Sequence, residues 1–398
     1  MGQVRWAGWT MAIATALVIS GGQGARADVA SDRPAAILIY PKIVVNSSAG
    51  IDTVIRLTNT STAAPINVHC FYVNANSYCT NDGSICTDSC SGGGACAPGW
   101  VETDFNIVLT AGQPIEWEAA DGLRGHGLPL PVGHCTQNPR LACGTGPNGD
   151  AWCAQFGAGI CGPSNSGTNI PPVGEDPFVG ELKCIAFDDN FVSPIARNDL
   201  KGEANIETST ESDLDVASYN AIGLQATAAA GTPITDNPLV LGPASDGDYN
   251  GCPNVLILDN FFDLAADPIS GSTITTDLTL VPCSEDFLRQ IGGSATVQYL
   301  VYNEFEQRLS TSRLVDCFQE IQLCNIDTTQ CPRSIFAVGL QGTLTGQTRL
   351  NPVVNPTSRL PSGLLGVAIE SHGTAASSAA FNLHFAGARD TADFITLP

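Results

Sequence analysis

The chain has 398 residues, with 39 acidic against 17 basic ones, a formal net charge of −22, and only 14% of residues charged. That balance excludes a nucleic-acid binder, which needs a basic stripe, and an electrostatic binder of anionic membranes. A hydrophobic content of 43% excludes a disordered solvating tail, so the surface is built largely from Ser, Thr, Asn, Gln and Gly.

Residues 1–27 read as a secretory signal peptide. Arg5 gives the positive end, residues 6–19 carry no charge, and Ala25-Arg26-Ala27 is an A-x-A cleavage pattern. Export to the periplasm, cell surface or medium is expected. All 15 cysteines follow this segment, so disulfides are their default state.

Beyond residue 28 the apolar runs are short, period-two and bounded by turn formers. Segments 52–58, 66–73, 105–109, 115–118 and 295–302 are of this kind. They predict an all-β protein of two tandem Ig-like or jelly-roll β-sandwich domains, spanning 28–230 and 254–398. Gly231, Pro233, Asn237, Pro238 and Gly242 crowd 231–253, which reads as a linker. Residues 284–291 could form two helical turns or a loop.

The halves also read as a diverged duplication. The strands at Asp52, at Tyr72-Val73-Asn74, after Gly180 and at Asn205 match those at Asp277, at Val301-Tyr302-Asn303, after Gly363 and at Asn382. With the two cysteine clusters removed, Asn74 to Gly180 is 61 residues, against 60 from Asn303 to Gly363.

Those clusters are Cys79, Cys86, Cys90 and Cys96 in insert 79–96, and Cys135, Cys143, Cys153 and Cys161 in insert 135–161. The residues between them are too polar to bury a core, so cross-links must hold them. Each group allows three connectivities. Zinc fits poorly, because only Cys86 to Cys90 has ligand spacing. The four-cysteine inserts resemble those of uncharacterised secreted Cys-rich β-proteins of environmental Gram-negative bacteria, a resemblance that implies no activity. Of the other cysteines, Cys70 is expected to bridge Cys184, Cys324 to meet Cys331, and Cys283 to meet Cys317. Cys252 is left as a free thiol.

Asp246, Asp248 and Asn250, followed by Gly251, match the start of a calcium loop. The bidentate Glu of an EF-hand is absent, so closure would fall to Asp259 or Asp263. Without an ion, the segment is an Asx-rich turn. No cofactor is expected unless calcium closes this loop.

Catalytic signatures are missing. Glu116 and Glu118 flank Trp117, but alternate positions on a strand read as its wet face. The five histidines show no metal spacing. The leading expectation is therefore a secreted or surface-exposed, non-enzymatic structural or adhesion protein, with a protein or glycan partner or with itself as partner. A calcium-dependent or carbohydrate-binding module using Trp100, Trp117 or Trp152 is the alternative. A secreted hydrolase with a non-local Ser, His and acid is the third.

Overall fold

A computed structural model of the chain describes residues 29–86, 89–123, 143–145, 151–153, 170–210, 213–243, 247–329, 331–353, 360–373 and 377–398. The expected signal peptide, Asp246, Cys135 and Cys161 lie outside these residues. The protein is all-β, and its described helices are short 3-10 turns.

Nine strands build the first half: β1 Ile37–Val45, β2 Ile51–Asn59, β3 Ile66–Asn74, β4 Val101–Leu109, β5 Pro114–Glu118, β6 Phe178–Phe187, β7 Leu200–Ser209, β8 Leu214–Asn220 and β9 Ile222–Leu224. Nine more build the second: β10 Pro253–Phe261, β11 Thr273–Pro282, β12 Ser294–Asn303, β13 Arg308–Asp316, β14 Gln319–Gln322, β15 Gly346–Val353, β16 Leu364–His372, β17 Ser378–Asn382 and β18 His384–Ala388. The larger sheet of the first half runs β9-β1-β6-β3-β4, with Val29–Ala30 added beside β9. The smaller sheet runs β8-β7-β2-β5. Adding nine to each label gives the second half: β18-β10-β15-β12-β13 and β17-β16-β11-β14.

The halves are thus two copies of one nine-strand sandwich. The sequence pairing of β2 with β11 and of β3 with β12 agrees with this topology. The later pairings need correction. The strand after Gly180 is β6, whose counterpart is β15, not the strand after Gly363. Asn205 in β7 corresponds to β16, not to Asn382 in β17. The matching intervals were a coincidence, produced by loops of unequal length between β5 and β6 and between β14 and β15.

Strand alternation explains the layering. β1 and β6 are buried almost throughout, and β3 is buried except at His69. Strands with both faces covered must be apolar on both. One face packs on the smaller sheet of its own sandwich. The other meets the second half, where β1 packs against β11 and β16. β16 alternates accordingly: Leu365, Val367 and Ile369 join the core of the first half, while Leu364 and Ala368 join that of the second.

The segment 231–253, expected as a linker, is woven into this junction. Its strands Leu239–Gly242 and Tyr249–Asn250 join a sheet with Asp393–Thr396, Glu285–Asp286 and Ile291–Gly292. Residues 284–291 form a tight antiparallel hairpin there rather than helical turns.

Candidate functional site

The cysteines brace the scaffold. Cys70 bridges Cys184 between the paired strands β3 and β6, and Cys324 bridges Cys331 in the β14–β15 connection. In the first insert Cys79 pairs with Cys90 and Cys86 with Cys96, a crossed connectivity that sequence left open. In the second insert, Cys143 and Cys153 are register partners in two short paired strands. Two linked expectations are corrected, since Cys283 does not pair with Cys317. Cys252 is not free but bonded to Cys283, because the start of β10 and the end of β11 meet at the junction. Among the described residues the free thiol is Cys317, at the corner between β13 and β14.

The calcium-loop residues serve the junction. Asp248 Oδ2 accepts a hydrogen bond from Val240 N at 2.9 Å, and the buried Asn250 donates its backbone N–H to Gln225 O at 2.8 Å. Asp259 and Asp263 lie toward the far end of β10 and beyond. Asp259 contacts Gln347 and His384, and the buried Asp263 accepts from Thr276 N and Cys324 N.

The catalytic readings fare similarly. Glu116 lies on the wet face of β5 and holds Arg56 together with Glu203, its cross-strand partners on both sides. Trp117 is buried and donates to Tyr72 Oη at 2.6 Å; Trp100 is buried too. Neither ring is a platform for a sugar. The side chain of Trp152 lies outside the described residues. Asp267, whose Oδ1 accepts from Ser270 N, and Glu370 hold both nitrogens of His372, at 2.7 and 2.9 Å. No ring nitrogen is left to take a serine proton. His69, at 3.2 Å from Asp104, lines a junction cavity of about 190 Å³ with Phe187, Phe191 and Asp236. Ligand pockets usually exceed about 300 Å³.

The scarce lysines are placed with the same economy. Lys42 of β1 reaches Glu320 of β14 at 2.8 Å. Lys183 of β6 is fully buried between Glu181 and Glu285. Burial alone would strip its proton, but the two carboxylates hold the ammonium form and shift its pKa upward. Glu285 is raised in turn, first by burial and then by Glu181. Sequence gave no hint of this triad beyond the shortage of lysine.

Several strand edges stay unpaired among the described residues. β13 is bonded to β12 along its whole length, and among the described residues no strand takes its outer side. Seven of its nine residues are exposed, including Leu309 and Leu314. It carries Arg308 and Arg313 in a strongly acidic chain. The sheet beside it continues the basic character, with Arg349 stacked 5.9 Å over Tyr302. The equivalent edge strand of the first half, β4, carries Glu102 and Asp104 instead.

No protein-family model matches the chain, and no curated protein matches it.

Proposed function

We propose that this is a non-enzymatic, disulfide-braced extracellular structural or adhesion protein that works by adding a partner strand to β13. The observation that carries this reading is the long, exposed edge of β13, unpaired among the described residues. Such edges are liabilities that proteins usually shorten, cover or bulge, so one kept open is a binding surface by β-augmentation. The partner is a second copy. Its β4 edge has the same length, the opposite charge and the equivalent place in the other repeat. Because β4 and β13 are different surfaces, the contact is heterologous and does not close on itself.

The test is sedimentation of the purified mature chain across a concentration series. It is expected to self-associate, less so at high salt as screening weakens the Arg–carboxylate contacts. Thr311→Lys puts a charge on the inner side of the edge and should weaken association by about tenfold or more. Arg308→Glu with Arg313→Glu should do the same through like-charge repulsion. A wild-type chain that stays monomeric at every concentration sinks the proposal.

A further inference from the structure

The buried triad offers chemistry that neither fold nor strand edge requires. Lys183 and Glu181 sit two residues apart on β6 and so share its junction face. Glu285 comes to them from the second half of the chain. Lys183 Nζ touches Glu285 Oε1 directly, lies 3.1 Å from Glu181 Oε2, and donates to Pro282 O at 3.2 Å. All three side chains have no solvent exposure. Beside them Phe71, the register partner of Lys183, stacks on Phe287 at 4.3 Å. Although the groups are in contact, none of the four carboxylate oxygens has a well-aligned hydrogen bond among the described residues. Burying three ionisable groups together carries a large desolvation cost.

We propose that Lys183 and Glu285 condense into an intramolecular amide that joins the two repeats covalently, with Glu181 as the proton acceptor. The reacting cluster is an ammonium, a protonated Glu285 and an ionised Glu181. One ammonium proton passes from Nζ to Glu181 Oε2. The freed lone pair attacks Glu285 Cδ, and the Nζ–Cδ bond forms. The Cδ–OH bond breaks, and the hydroxyl leaves as water with a second Nζ proton. The third proton remains as the amide N–H, and Glu181 ends as a neutral acid. No electrons are exchanged and no co-reactant is needed. A buried cation and anion become three neutral groups. Amine and carboxyl are held together by the fold, where effective molarities reach about 10⁵ M or more for well-oriented pairs.

The proposal is tested by mass spectrometry of the full mature chain after reduction and alkylation. The wild type is expected to weigh one water less than its sequence. Trypsin should fail to cut after Lys183 and should release a branched peptide joining the Lys183 and Glu285 segments. Lys183→Met should restore the full sequence mass. Glu181→Gln keeps the shape but removes the proton acceptor, and the branched peptide should fall to a minor fraction. A wild-type chain of full sequence mass, with Lys183 and Glu285 recovered on separate linear peptides, overturns the proposal whatever the variants do. Self-association through β13 is read in a different experiment, so the two ideas fail separately.

Discussion

Cys317 shows how little of a side chain's chemistry lies in its letter. The sequence supplies an odd cysteine among seven but cannot say which, since pairing depends on where the backbone aims each Cβ. Cys317 turns at a positive φ of 62°, and Gly292 of the junction hairpin packs on its Cβ. Burial first, then the charge of Asp316, pushes its thiol up to about 12. At pH 8 that leaves roughly a thousandfold less thiolate than an ordinary cysteine, since each pKa unit is a factor of ten. Iodoacetamide should therefore label Cys317 slowly in the native chain and fast after unfolding, as read on its own peptide. Rapid native labelling would contradict the burial. The calcium loop teaches the same lesson. Asp248 and Asn250 have the right letters at the right spacing, and here Asp248 accepts from the backbone of Val240 in the junction sheet while Asn250 is one of that sheet's own residues.

At the scale of elements, the strands were legible because period-two alternation marks a strand wherever one face is wet. Ile115, Trp117 and their outward glutamates in β5 are the plain case. Strands buried on both faces gave no such alternation, so nothing in β1 or β6 announced the second layer. The linker misled for a related reason: Gly, Pro and Asn mark turns, and here short paired strands lie between the turns. The duplication was readable through β2 and β3, then slipped by one strand, because similar apolar strands carry no label. The junction is the functional consequence. Asp215 of β8 accepts from Ser378 N and Oγ of the equivalent strand β17, and Asn382 exchanges two hydrogen bonds with the Asn220 backbone. With Phe71 stacked on Phe287 and the core of the first half drawing Val281, Phe287, Leu365 and Val367 from the second, the repeats should unfold together. Calorimetry is expected to show one transition. Phe287→Ala should lower stability by about 3–5 kcal/mol while keeping a single transition. Two separated wild-type transitions would mean that the halves are independent.

For the whole molecule, the charge of −22 is a cost the fold carries in known places, and it should make stability rise as pH falls from 8 to 5. Burial lifts the carboxyls of Asp52 and Glu102 to about 7 and that of Asp263 to about 6. Their unfolded values lie near 4, so between about pH 4 and pH 7 the native chain binds protons that the unfolded chain releases. A group raised in this way favours the native state below its unfolded pKa and loses that advantage as pH rises through its native pKa. His372, raised by hydrogen bonds to Asp267 and Glu370, adds to the same trend around neutrality. His69, lowered by burial, opposes it below about 6.5. Asp267 and Glu304 are held below their ordinary values by hydrogen bonds, so they cost stability only in stronger acid. After discounting partly exposed groups for solvent screening, the net gain from pH 8 to pH 5 is about 2 kcal/mol. Thermal melts should rise over that range and fall again below about pH 4. Asp52→Asn combined with Glu102→Gln should flatten the rise by raising stability at pH 8, because the neutral side chains no longer pay for burying charge. A wild-type melting temperature that is flat or falls from pH 8 to pH 5 would show that these carboxyls stay solvated. Acidification also neutralises Glu102 on the β4 edge, so association through β13 should weaken along the same pH axis.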